Sequence, residues 1–211
     1  MRPIHKITLL FLIASLTFGC THTQDPFVAH AQKVYGTAND YFPASVGSSW
    51  TYKISPAPVE QNIESVTMLK VLSGNRYQDS KGNIFQVRTS GIHDGIRYLI
   101  KMPLSVGHRW MAVPSASVVE RYELVAKDLT IAVPAGIFNS CLKVRGEVDI
   151  KKTAASKASR MMMEWIYAPG VGMIQLTQYV YMEMNSEPRR TAQYQLLKYQ
   201  IAGQNVPQDS P

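Results

Sequence analysis

Histidine, cysteine and long apolar runs are scarce in this 211-residue chain, and each scarcity removes a class of function. Of the five histidines, His5, His22 and His30 precede residue 41, which leaves His93 and His108 for the body of the chain. Neither stands in an H-E-x-x-H spacing, so a zinc site would need ligands from distant segments. No G-x-S-x-G occurs, and Ser90 close to His93 and Asp94 reads as a turn composition before it reads as a triad. Gly170-Val171-Gly172 joins two strands with no helix behind it to hold an anion, so it is not a phosphate loop. Basic residues exceed acidic ones by seven, yet they form no aromatic-interleaved face of the kind that binds nucleic acid.

The apolar run, Ile7 to Phe18, is too short to span a bilayer comfortably. It follows Arg2 and Lys6 and ends on Leu16-Thr17-Phe18-Gly19-Cys20, a small residue before cysteine, and so resembles a bacterial lipoprotein signal. An ordinary secretory signal cut nearby is the alternative. The resemblance implies that residues 1–19 are removed and that Cys20 carries acyl chains. Several chains together anchor a protein stably to a membrane where one does not. Without Arg2 and Lys6 the basic excess falls from seven to five, a modest figure that suits a soluble basic surface or anionic headgroups. With Cys20 acylated, Cys141 has no partner in the chain, and no disulfide is expected.

Residues 20–40 read as a tether. Asp25-Pro26 is a good helix start, Phe27, Ala31, Val34 and Tyr35 fall at helical spacing, and Gly36 is a natural stop. From Tyr41 the apolar period becomes two. Trp50, Tyr52 and Ile54 alternate with polar residues. Ile63 to Leu72 forms a second strand, stopped by Ser73-Gly74-Asn75, and shorter strands around Tyr77 and Phe85 flank the turn at residues 79–83. Ile96, Tyr98 and Ile100 alternate with Arg97, Leu99 and Lys101 after a turn at His93-Asp94-Gly95. Between Val118 and Val133 the apolar set slips from even to odd positions, which requires a bulge or bend near Lys127-Asp128. Leu142, Val144, Gly146, Val148 and Ile150 then face one way, and Cys141, Lys143 and Arg145 the other. One pattern occurs twice, sixty residues apart: P-x-S-V-G-x-x-W at 43–50 and at 103–110. Proline fixes φ, glycine permits the turn and an indole anchors the next strand, so it is a device for starting strands. True internal duplication and a recurring local device both account for it.

Proline-glycine at residues 169–170 signals a type II turn. Setting Ala168 opposite Val171 places Trp165 against Ile174, Met163 against Leu176 and Glu164 against Gln175. A longer loop of the same parity is the alternative. On that register Met182 and Met184 face residues 157 and 155, about 13 Å along the strand from Met161. Four sulfurs cannot share one ion at that distance, so core filling or a soft apolar lining is preferred over copper.

The reading is an all-β single domain of roughly ten to twelve antiparallel strands, curved or closed into a barrel, with a two-sheet sandwich as the alternative. Its bounds are a signal at 1–19, a lipidated tether at 20–40, the β-rich domain at 41–201 and a tail at 202–211. Tyr41-Phe42-Pro43 through Trp50-Thr51-Tyr52, Val133-Pro134-Ala135-Gly136-Ile137-Phe138, and Glu164-Trp165-Ile166-Tyr167-Ala168-Pro169-Gly170-Val171-Gly172 together resemble an uncharacterised family of bacterial envelope proteins labelled TapB-like, a domain of unknown function. That resemblance implies a β-rich periplasmic fold, and it implies no activity and no site.

The functional expectation is a non-catalytic, membrane-anchored periplasmic protein that binds a partner or supports the envelope, with the outer membrane favoured over the inner. The alternative is a carrier holding a lipid or other apolar ligand in the concavity of the sheet. No catalytic residue, metal or cofactor is assigned, and no enzyme activity is expected. Cys141, beside Lys143 and Arg145 on the polar face, is the one nucleophile considered; such lone strand cysteines are usually inert. The testable expectation concerns Cys20: labelled palmitate enters the wild type, and Cys20→Ser loses both the label and the membrane fraction. A Cys20→Ser protein still recovered with membranes would sink the anchor.

Overall fold

Alternation of apolar and polar residues makes strands of nearly every segment after residue 48. The computed structural model describes residues 35–150, 159–182 and 187–203. The proposed signal, Cys20, the tether helix and most of the tail lie outside these residues. After a short 3₁₀ turn, Ala38–Tyr41, the first six strands are β1 Ser49–Ser55, β2 Ile63–Leu72, β3 Arg76–Asp79, β4 Ile84–Arg88, β5 Gly91–His93 and β6 Tyr98–Lys101. The second six are β7 Arg109–Ser115, β8 Val118–Val133, β9 Gly136–Ile150, β10 Ser159–Ala168, β11 Gly172–Tyr181 and β12 Arg189–Gln200. Among the described residues no helix is long and apolar enough to cross a membrane.

All twelve strands form one antiparallel sheet in the order β6-β5-β4-β3-β2-β1-β12-β11-β10-β9-β8-β7. Sequence neighbours pair everywhere except between β6 and β7, and the first strand pairs with the last, Trp50 opposite Tyr199. The result is a nearly closed, barrel-like meander whose seam falls in mid-chain. Side chains span that seam. The Trp110 indole donates to the Tyr98 carbonyl at 2.9 Å, and Arg97 Nη1 donates to Glu120 Oε1 at 2.9 Å while the Tyr122 hydroxyl donates to Glu120 Oε2 at 2.7 Å.

The repeated motif starts each half of the meander with one hydrogen-bond pattern. Gly47 N–H donates to the Met68 carbonyl, Ser48 N–H to Ser45, and Met68 N–H to Ser48; Gly107, His108 and Leu124 make the same three bonds in the second copy. Gly47 and Gly107 lie at φ 92° and 86°, where an L side chain is strained. Trp50 and Trp110 both enter the interior.

The register slip expected near Lys127-Asp128 is present. Asp128 has φ 57°, and the β8–β9 ladder shifts on both sides of Leu129. Ser140 on β9 is also left-handed, at φ 55°, and the setting of the next residue differs from expectation: Cys141 pairs with Leu129 and is fully buried, in one cluster with Val133, Ile166 and Leu196 instead of among polar groups. Alternation gives the face that a strand residue takes, not what packs over that face. The β10–β11 register also differs from expectation. The type II bond from Val171 N–H to the Ala168 carbonyl forms, but Ala168 pairs with Gly172 and a second irregularity follows at Ile166/Tyr167. Trp165 therefore opposes Leu176, Met163 opposes Gln178 and Glu164 opposes Thr177. The two one-residue shifts sum to two, so parity is restored and Trp165 still meets an apolar partner. Ile96, expected within a strand, lies in a turn held by Asp94 Oδ1, which accepts from Ile96 and Arg97 N–H.

Outward charges pair across strands. Glu164 accepts from Lys143 and Arg145, and Asp149 from Arg121 and Arg160, contacts worth at most about 1 kcal/mol each where exposed. Inward, Trp110 stacks on Tyr122 at 5.7 Å and 9°, and Tyr122 meets Trp165 at 6.0 Å. Gly146 makes that row possible, since a Cβ there would lie 2.7 Å from Tyr122 and 2.9 Å from Trp165. Gly146→Ala should therefore cost about 1–3 kcal/mol through overpacking, read as a lower urea midpoint at unchanged slope. An unshifted midpoint would remove the steric role assigned to this glycine.

Candidate functional site

The inward faces of the strands do not fill the barrel. A cavity of about 220 Å³ lies among Trp50 and Tyr52 of β1, Val66 and Met68 of β2, Phe85 of β4, Leu99 of β6, Trp165 and Tyr167 of β10, and Met173 of β11, with Phe42 and Pro43 from the segment before β1. Six of the lining residues are aromatic. Phe42 and Phe85, for example, meet at 5.1 Å and a 53° tilt.

Most of the polar atoms around the cavity are tied back into the protein. The Trp50 indole donates to the Val171 carbonyl at 2.6 Å, and the Tyr52 hydroxyl donates to the Met173 carbonyl at 3.0 Å. Burial holds the Tyr52 phenol far above its ordinary range, so it remains a donor. Asp79 is buried and accepts from Lys81 N–H, Asn83 N–H and Asn83 Nδ2 at 2.8–2.9 Å, which closes the β3–β4 turn and compensates its charge. The wall is thus apolar and aromatic, with one engaged carboxylate and no cation.

The other residues weighed from sequence are not gathered at one place. His93 Nδ1 accepts from Gly95 N–H, Ser90 Oγ lies 3.1 Å from the Tyr98 hydroxyl, and Asp94 caps its own turn, so the three serve local structure. Among the described residues no three His, Cys, Asp or Glu side chains converge as metal ligands would. Met182 is exposed, Met184 lies outside the described residues, and Met161 and Met163 pair with Val180 and Gln178. Leu99, assigned from alternation to the outer face, lines the cavity instead. The cavity itself was legible only as a concave face with methionine and aromatic side chains. Which six rings meet is set by pairings between strands far apart in sequence.

An up-and-down antiparallel barrel with an internal apolar cavity is the class that this architecture defines. No family model matches the chain, and no curated protein matches it. The TapB-like resemblance of residues 41–52, 133–138 and 164–172 is therefore not carried by a family model. Two solved structures are similar. One is a provisionally named lipoprotein of Parabacteroides distasonis, 13% identical, with a TM-score of 0.46, covering 80% of this chain and 100% of that one. The other is a provisionally named exported protein of Bacteroides fragilis with a YmcC-like fold, 14% identical, with a TM-score of 0.44, covering 79% and 100%.

Cys141 is buried, and burial pushes its thiol up to about 11. Its sulfur makes only long contacts, 3.4 Å to the Phe138 carbonyl. A thiol needs to be both ionised and reachable to react, and this one is neither at neutral pH. A thiol reagent at pH 7 should label native protein at least about a hundredfold more slowly than urea-unfolded protein. Comparable rates would return Cys141 to the list of reactive groups.

Proposed function

We propose that this is a non-catalytic envelope protein, anchored through acyl chains on Cys20 with its barrel in the periplasm, that holds an apolar ligand in the barrel cavity. The outer membrane is the favoured location. The observation that carries the binding role is the aromatic-walled cavity of about 220 Å³. A dry apolar cavity of about 150 Å³ is enough for benzene, whereas sites for drug-sized ligands begin near 300 Å³. The space therefore suits a short stretch of hydrocarbon or a single ring, not an entire lipid with its headgroup. Burying such a chain removes apolar surface from water at roughly 25 cal/mol per Å², which is ample for a reversible carrier.

A scaffold role is the second reading, favoured by a different observation. Met111 and Val113 stand exposed on β7, an edge strand, where a partner could cover them.

Two of the three tryptophans, Trp50 and Trp165, line the cavity, so a bromine-bearing alkyl chain should quench intrinsic fluorescence saturably. Val66→Trp, which fills the cavity from β2, should weaken that binding by roughly tenfold or more, the factor that about 1.4 kcal/mol represents. Quenching that never saturates, or a Val66→Trp protein that folds and binds as wild type does, would count against the carrier and leave the scaffold.

A further inference from the structure

The cavity wall contains donors that the protein itself does not use. Tyr167 is 3% exposed and lines the cavity. Its hydroxyl has no hydrogen-bond partner among the described residues, in contrast to Tyr52 and Trp50 on the same wall. Burial raises its phenol far above the ordinary range, so it carries its proton at any physiological pH. Trp165, two residues earlier on β10, lines the cavity as well, and its indole N–H also has no acceptor among the described residues. An indole N–H only donates, and a phenol is the better donor of its two roles. The Tyr167 hydroxyl is not among the buried unpartnered polar atoms, so it is open to the pocket, and a ligand acceptor that takes the place of water there adds about 0.5–1.5 kcal/mol to what apolar contact provides.

Charge fixes the kind of acceptor. Among the described residues Asp79 is the only carboxylate on the wall, and no lysine or arginine lines the cavity. A carboxylate brought into this space would meet no cation, lose its hydration and face a fixed negative group. A neutral carbonyl oxygen has none of these costs. Resting on the carrier reading above, we infer that the cavity takes an acyl ester: the hydrocarbon chain lies among the rings and the ester carbonyl accepts a hydrogen bond from the Tyr167 hydroxyl. Tyr167 is then the residue that distinguishes an acylated molecule from a plain hydrocarbon or a free fatty acid.

Three probes of equal chain length test this by tryptophan quenching: bromo-octane, bromo-octanoate, and the methyl ester of bromo-octanoic acid. Wild type should bind the ester roughly three- to tenfold more tightly than bromo-octane, and bromo-octanoate more weakly than either at neutral pH. In Tyr167→Phe the ester should lose its advantage while bromo-octane binds at least as well as to wild type. The ester carbonyl stretch, followed by infrared spectroscopy in the wild-type complex, should move to lower frequency and return in the variant. Equal binding of bromo-octane and ester by wild type, an unshifted carbonyl band, or an ester preference that survives in Tyr167→Phe would overturn the inference while leaving the carrier intact. Failure of wild type to bind any of the three would overturn both.

Discussion

A β-sheet can end safely only where its outermost strands are short, covered or joined, and here the meander meets that requirement by pairing its first strand with its last. The β1–β12 ladder turns two six-stranded runs into one continuous sheet and moves the unavoidable discontinuity to the β6–β7 connection. There β6 is only four residues long, and the gap is bridged by an indole, a guanidinium and a carboxylate in place of a backbone ladder. The repeated P-x-S-V-G-x-x-W segment belongs to this solution. Each copy delivers a strand into the sheet at a fixed level by bonding its glycine and following residue to the neighbouring strand, and each drives a tryptophan inward.

Closure with so many rings inside has a consequence for filling. Trp110, Tyr122 and Trp165 form a row across one region of the interior, admitted by the missing side chain at Gly146. Across the rest, Phe42 and Phe85 meet at a 53° tilt, and space remains between them and Trp50 and Tyr52. Each residual gap forfeits dispersion contacts that a ligand can restore. Binding capacity, in this view, is a product of the same aromatic residues that make the barrel stable.

The polar groups are apportioned along the same lines. Asp79 is spent on a turn, Glu120 on the seam and Glu164 on the outer ion pairs, so the charged residues of the barrel mostly stabilise its architecture. Tyr167 differs from them. It is a core residue, yet its hydroxyl has no partner among the described residues, which is why the chemistry of a ligand is read from it.

Strand identity was legible from residue order because a period of two follows from the pleat itself: Ile63–Leu72 was found at its full length, and the bend at Lys127-Asp128 followed from the change in parity alone. Local turn chemistry was equally plain, as at Asp79 and at Pro169-Gly170. Parity cannot say what packs over a face or how many residues a turn and a bulge insert, and so Cys141 was given a polar setting and the β10–β11 hairpin a register two residues short. Nor can it say which strands lie side by side. The pairing of β1 with β12, the seam at β6–β7 and the meeting of six rings from four segments around one cavity were decided by closure of the sheet, a condition on the whole chain that no stretch of it contains.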